Sequence, residues 1–247
     1  MKILSVSTAT NHLSVALNNY ETIVEEKNEQ DQRNHSEHLD PMIAAILKEN
    51  NLQLKDLDRF AVAIGPGSYT GLRIGITTVK MFASILNKEV VGISTLQALA
   101  KSIDEQNTLI VTGLDARNDN YFAGAYVNNA EKMPEMVIPD GHYHIDVLLK
   151  AVSAYLAEND LTKVIFVGTG LAKQDEQIKA MGIDYTYATE EQNELHAGLI
   201  GQLAVTAQPV DPDQLLPRYL RRTQAEVDWH KKTGKPFGPD SDYVEEV

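Results

Sequence analysis

The sequence predicts an α/β protein. Strand-like apolar runs alternate with helical periodicities along most of the chain, and a strand-turn-strand opening near residue 2 recurs near residue 107. The length agrees, because 247 residues suit one large domain or two small ones at roughly 100–200 residues per domain. With 43% hydrophobic and 23% charged residues, the composition is that of a globular chain.

Residues 2 to 9 and 12 to 18 predict two strands. Leu13, Val15 and Leu17 alternate with Ser14, Ala16 and Asn18, and Thr10-Asn11 supplies the turn. A third strand is expected around Thr22-Ile23-Val24, followed by an aperiodic polar stretch from Glu25 to Asn34. Leu39, Met42, Ile43, Ile46 and Leu47 recur at spacings of three and four, one face of a helix near 36–50. Its start has two solutions. Asp40-Pro41 serves as N-cap and first helical residue, or Asn34 and Glu37 form a capping box that leaves Pro41 to kink the early turns. Phe60-Ala61-Val62-Ala63-Ile64 predicts a buried strand ended by Gly65-Pro66-Gly67. A helix near 71–87 then carries Leu72, Ile76, Val79, Phe82, Ala83 and Leu86 on its apolar side. Val90 to Ile93 forms the next strand, and Ser94 or Thr95 caps a helix through Leu96, Leu99 and Ala100.

In the second half, Leu109 to Leu114 and Tyr121 to Tyr126 are strand-like, joined by turn formers from Asp115 to Asn120. A helix near 145–157, a strand over Val164 to Val167, and helices near 172–181 and 195–206 follow. The recurrence is one of element order, not of letters. The expected division is a first half over 1–105, a smaller second half over 106–222 whose final helix can return to the first, and an acidic tail over 223–247. Periodicity ceases from Thr233, so disorder is expected there.

Charge and composition exclude several function classes. Lys plus Arg is 22 and Asp plus Glu is 35, so the formal charge is −13. A chain this acidic repels a phosphate backbone unless it carries a local basic patch, because duplex affinity comes mostly from Lys and Arg displacing counterions. The absence of cysteine excludes disulfides, thiolate zinc sites and a cysteine nucleophile. The opening Met1-Lys2-Ile3-Leu4-Ser5 lacks a signal peptide's continuous apolar core, and no stretch approaches the roughly 18 apolar residues of a membrane span. A cytoplasmic chain without membrane contact is expected.

The most informative segment is Gly65-Pro66-Gly67-Ser68-Tyr69-Thr70-Gly71-Leu72-Arg73-Ile74-Gly75, between a buried strand and a helix. Backbone N–H groups at such a turn offer an anion site at Gly65, Gly67 and Ser68. The segment lacks the Lys-Ser/Thr pair of a P-loop and the spacing of G-x-G-x-x-G. The plainer alternative is a tight turn capped by Ser68 or Thr70, with Gly71 and Gly75 admitting a neighbouring backbone.

This undecapeptide resembles the signature of the TsaB (YeaZ) family, partner subunits of the bacterial machinery that puts threonylcarbamoyl on the adenosine next to the tRNA anticodon. Other segments agree in order: Ile3-Leu4-Ser5-Val6-Ser7-Thr8, His35-Ser36-Glu37-His38-Leu39, Asp115-Ala116-Arg117 to Tyr121, and Pro217-Arg218-Tyr219-Leu220-Arg221. The resemblance implies an actin-like ASKHA (ribonuclease H-like) fold of two related halves, mixed sheets flanked by helices, and a non-catalytic role with no catalytic or metal-binding residues. It implies that a related TsaD-like subunit performs the transfer, that TsaC makes the threonylcarbamoyl adenylate, and that a TsaE-like ATPase completes the complex. No cofactor of its own is expected, since ATP or ADP and a metal ion belong to the wider complex; tRNA is met only through that complex. The two first-half helices are expected to bind TsaD, or a second copy when alone, through Leu39, Met42, Ile43, Ile46, Leu47, Tyr69, Leu72, Arg73, Ile76 and Lys80, with Met81 beside them.

Ser7 departs from the family pattern, which usually has Asp there. In ASKHA phosphotransferases that carboxylate helps hold metal and nucleotide, a role a hydroxyl fills poorly. Two other classes are to be weighed. An ATP-dependent phosphotransferase must do without the Ser7 carboxylate, and a metallopeptidase must use His35 and His38, which lack a visible third ligand. Asp115-Ala116-Arg117 is either a catalytic acid beside an anion binder or a turn with a local ion pair. Arg221-Arg222 with Lys231-Lys232 is the basic clustering, a solvated helix end or a contact to shared nucleotide or tRNA.

Overall fold

Two five-stranded sheets carry the molecule, and both have one topology. The computed structural model describes residues 1–30 and 34–221 together with Trp229, Lys232 and Thr233. In the first half β1 (Lys2–Ser7), β2 (His12–Asn19) and β3 (Thr22–Gln30) form an antiparallel meander. Then come α1 (His35–Glu49), β4 (Arg59–Gly65), α2 (Tyr69–Leu86), β5 (Glu89–Ser94) and α3 (Thr95–Ala100). The sheet order is β3-β2-β1-β4-β5, with β4 parallel to β1 and β5 parallel to β4. The second half contains β6 (Leu109–Asp115), β7 (Asn120–Asn128), β8 (Pro134–His144), α4 (Ile145–Glu158), β9 (Lys163–Thr169), α5 (Asp175–Ala180), β10 (Asp184–Tyr187) and α6 (Ala197–Ala204). Its order, β10-β9-β6-β7-β8, repeats the first with every strand advanced by five. This duplicated ribonuclease H-like sheet is the actin-like ASKHA arrangement.

Burial explains the strand sequences. β1 is buried along all but its first residue and β2 along all but its last, because α1 and α2 cover one face of the sheet and α6 packs against the same strands. α6 therefore belongs spatially to the first sheet, although it follows the second half in sequence. Asn18 on β2 donates Nδ2 to Gly198 O at 3.0 Å, and the Ala197 N–H donates to Ser14 Oγ at 2.8 Å.

The polar stretch from Glu25 extends β3 as far as Gln30, which corrects the expectation of an aperiodic loop there. It is an edge strand, and charged edges are a common guard against unwanted pairing. Its polar side chains are used locally: Lys27 pairs with Glu25 and Glu49, and Glu29 with His38 on α1. No sequence pattern marks β8 or β10, because Pro139 and Gly141 interrupt the first and the second has four residues at a sheet edge. Asn34 precedes α1 without a side-chain cap bond, Pro41 lies inside the helix, and Ser94 caps α3 by accepting from Leu96 N and Gln97 N. The helix expected over 172–181 is a 3-10 turn at Leu171–Gln174 followed by the short α5. The expected disorder beyond Thr233 lies outside the described residues.

A titratable pair stands at the start of α6, where His196 Nδ1 lies 3.4 Å from Glu26 Oε2. Burial pushes the Glu26 carboxyl up, but His196, the Gly198 N–H and Ser14 together hold it below its ordinary 4.5. Glu26 in turn raises His196 above its ordinary 6.5. The His196 contribution to stability is thus complete below pH 6.5 and lost as pH rises through the raised folded value. The Glu26 contribution is present above pH 4.5 and lost as pH falls through the lowered folded value. The urea midpoint should fall as pH rises above about 6.5, and His196→Gln should flatten that fall. An unchanged slope in the variant would remove the pair from the account.

Candidate functional site

The glycine-rich segment is packed against its own chain. Ser68 caps α2, its Oγ accepting from Gly71 N at 3.1 Å, and its own N–H donates to Ala9 O at 2.7 Å. A Cβ on Gly67 would lie 2.3 Å from Ala9 O, one on Gly71 2.0 Å from Thr8 O, and one on Gly75 2.4 Å from Thr8 Oγ1. Thr8 Oγ1 in turn donates to Gly71 O at 2.6 Å. The glycines thus seat α2 on the turn between β1 and β2. Gly71 and Gly75 face Thr8, not a neighbouring subunit, and the Ser68 donor that an anion would need is already committed. Gly65, at φ +124°, leaves no room for a side chain against Arg218 O.

The predicted partner residues divide by burial. Leu39, Ile43, Ile46, Leu47, Leu72 and Ile76 all lie in the core of the first half. Their side chains face the sheet, so as contact residues they are corrected, since the apolar periodicity that marks a helix marks its inward face first. Met42 and Lys80 are half-buried, while Tyr69, Arg73 and Met81 are exposed. Lys80 Nζ donates to Asp213 O at 3.0 Å.

The outward face of α2 is a different set. Thr70, Ile74, Thr77, Met81 and Ile85 follow one another at spacings of three and four, forming an uncharged stripe of four turns. Ile85 is 74% and Met81 48% exposed, unusual for side chains of this size. Ile74, Thr77 and Thr78 also line a groove of about 500 Å³ between α2 and α1, with Ser36 and Asp40 on the other wall. The stripe was missed because the outward positions carry threonines among the apolar residues.

Beside this face lies the cleft between the halves. Tyr69 and Tyr219 stack with ring centroids 4.8 Å apart, and the Arg73 guanidinium sits 4.1 Å over the Tyr69 ring. Asp115 pairs with Lys173 at 2.7 Å and accepts from the Arg117 N–H at 2.8 Å. These bonds hold its carboxyl below the ordinary range and make the segment a turn, its ion pair formed with Lys173. His35 Nε2 meets Thr10 O at 2.9 Å, while His38 Nδ1 meets Glu29 at 2.5 Å. The two rings serve separate contacts, and His38 has the carboxylate partner that spacing alone did not reveal. Among the described residues no group of three His, Asp or Glu side chains could hold a metal. No helix there is long and apolar enough to cross a membrane.

Ser7 ends β1 fully buried, its Oγ without a hydrogen-bond partner. A serine at this strand end supplies no carboxylate to a metal or nucleotide. The duplicated sheet and the cleft between its halves define an ASKHA-type protein, and the outward side of α2 carries an exposed, uncharged stripe.

A family model described as TsaD, tRNA N6-adenosine threonylcarbamoyltransferase, matches residues 21–229. The Bacillus subtilis tRNA threonylcarbamoyladenosine biosynthesis protein TsaB is 30% identical over 230 residues, 93% of this chain and 98% of that protein. The Escherichia coli protein of the same name is 35% identical over 128 residues, 51% of this chain and 55% of its own length. A solved Pseudomonas aeruginosa structure, described as similar to peptidase YeaZ, superposes with a TM-score of 0.73 at 25% identity, covering 89% of this chain and 99% of that one. The chain belongs to the TsaB (YeaZ) family, named for the biosynthesis of threonylcarbamoyladenosine in tRNA.

Proposed function

We propose that this chain is a non-catalytic subunit that binds and supports a TsaD-like catalytic subunit, so that threonylcarbamoyl reaches the adenosine beside the tRNA anticodon. The observation that carries the reading is the uncharged stripe of Thr70, Ile74, Thr77, Met81 and Ile85 beside the α1–α2 groove. A face of this kind, apolar and without charge at its centre, is what helix-to-helix association between subunits uses. Family membership supplies the pathway, and Ser7 together with the Asp115–Lys173 pair speaks against phosphotransfer by this chain. ATP or ADP, a metal ion and a TsaE-like ATPase belong to the wider assembly. Alone, the chain pairs with a second copy through the same face, and in the cytoplasm the TsaD-like subunit replaces that copy.

Reconstitution tests the role. Threonylcarbamoyl adenylate, tRNA and the TsaD-like subunit of the same organism should give modified tRNA repeatedly only when this chain is added, and this chain alone should give none. Equal turnover without it would overturn the reading, as would modification by this chain unaided.

A further inference from the structure

Four of the seven arginines in this acidic chain, Arg73, Arg117, Arg218 and Arg221, gather around the cleft between the halves. The cleft encloses about 500 Å³, a volume typical of ligand sites. On its rim, Tyr69 and Tyr219 stack, and the Arg73 guanidinium packs against the Tyr69 ring with its Nε donating to Tyr219 Oη at 2.9 Å. Arg218 is anchored inside by Asp140 at 3.0 Å, which leaves Arg117 and Arg221 as the exposed cations of the cleft walls. Arg117 opens a run of three left-handed residues, with φ of 70°, 53° and 56° at Arg117, Asn118 and Asp119. Strain of that kind concentrates at ligand-facing turns. Asp115 is the one carboxylate among the described lining residues, and Lys173 pairs with it.

We propose that this cleft holds a single-stranded RNA segment, its phosphates on Arg117 and Arg221 and a base stacked on the Tyr69–Tyr219 pair that Arg73 braces. Stacking on aromatic and guanidinium planes combined with arginine-to-phosphate contacts is the chemistry by which unpaired RNA is bound. A duplex offers no open base face to the tyrosine pair. The Ser68 N–H, spent on Ala9 O, offers nothing to a free polyphosphate. The inference rests on the function proposed above, which brings RNA to the assembly, and it gives this subunit a contact of its own with that RNA.

The test is fluorescence anisotropy with a labelled single-stranded RNA of about twelve nucleotides. The full chain is measured alone and with the TsaD-like subunit, across about 20 to 200 mM KCl. Arg117→Asn, chosen because asparagine tolerates the left-handed backbone, is combined with Arg221→Gln. The pair should reduce the slope of log K against log salt by about 1.4, near 0.7 for each phosphate contact on a single strand. Tyr219→Leu should weaken binding at least about fivefold without changing the slope. No binding at the lowest salt in either form, or an unchanged slope in the arginine variant, overturns the proposal. So does ATP displacing the strand more effectively than unlabelled RNA, which would assign the cleft to a free nucleotide. Association with the TsaD-like subunit should survive both sets of variants. If the strand binds but no subunit complex forms, the RNA contact stands and the docking reading falls.

Discussion

Asp140→Ala is expected to destabilise the folded chain by about 3–5 kcal/mol, whereas Asp140→Asn should cost no more than about 1 kcal/mol. Asp140 sits on β8, 1% exposed, and ties three parts of the chain together. Ser94, the cap of α3 in the first half, donates to its Oδ2 at 2.6 Å. Arg218 of the C-terminal segment donates to the same oxygen at 3.0 Å, and Tyr126 on β7 donates to Oδ1. Alanine would leave a half-buried guanidinium and a buried phenol without their shared acceptor, which costs far more than the net worth of the bonds. Asparagine keeps one oxygen for Ser94 and Arg218 and can donate its amide to a turned Tyr126 hydroxyl. Burial pushes the Asp140 carboxyl above its ordinary range against the pull of those donors, so a neutral isostere relieves part of the strain. At roughly 2–4 °C per kcal/mol, alanine should lower Tm by roughly 6–20 °C. Equal losses for the two variants, read by urea unfolding, would show that the negative charge and not the acceptor geometry matters.

The second large effect concerns association. Met81→Arg combined with Ile85→Arg should leave thermal stability nearly unchanged, because both side chains already face water. The same pair should weaken binding to a TsaD-like subunit by about 100-fold or more, since each arginine brings a charge into a face that must be desolvated. The contrast with Ile46 is instructive. Ile46 is fully buried in the first core, so a charge there would report unfolding and say nothing of docking.

Much of the fold is legible in the sequence, and the misses have physical causes. β4, β6 and β9 announce themselves because burial on two faces demands apolar runs, as in Phe60 to Ile64, and β2 shows by the alternation of Leu13, Val15 and Leu17 with Ser14, Ala16 and Asn18. β3 does not, since its polar edge residues are chosen for ion pairs such as Lys27 with Glu49. The glycine segment was found where it stands, at the junction of β4 and α2. Its reason lies in Thr8 and Ala9, more than fifty residues away, where no local pattern could point. Six of the expected contact residues, Leu39, Ile43, Ile46, Leu47, Leu72 and Ile76, face the core, because periodicity identifies which residues share a side and not which way that side points. The arginine cleft gathers residues 73, 117, 218 and 221 only through the return of the C-terminal segment to Ile64, where the Arg218 N–H donates at 2.7 Å.

The most direct measurement is the mass of this chain mixed with the TsaD-like subunit of the same organism, by light scattering on a sizing column. A one-to-one complex that Met81→Arg with Ile85→Arg abolishes is the result the docking face predicts. Separate elution of the two unaltered proteins with nucleotide and metal present, or a complex indifferent to both arginines, would contradict it.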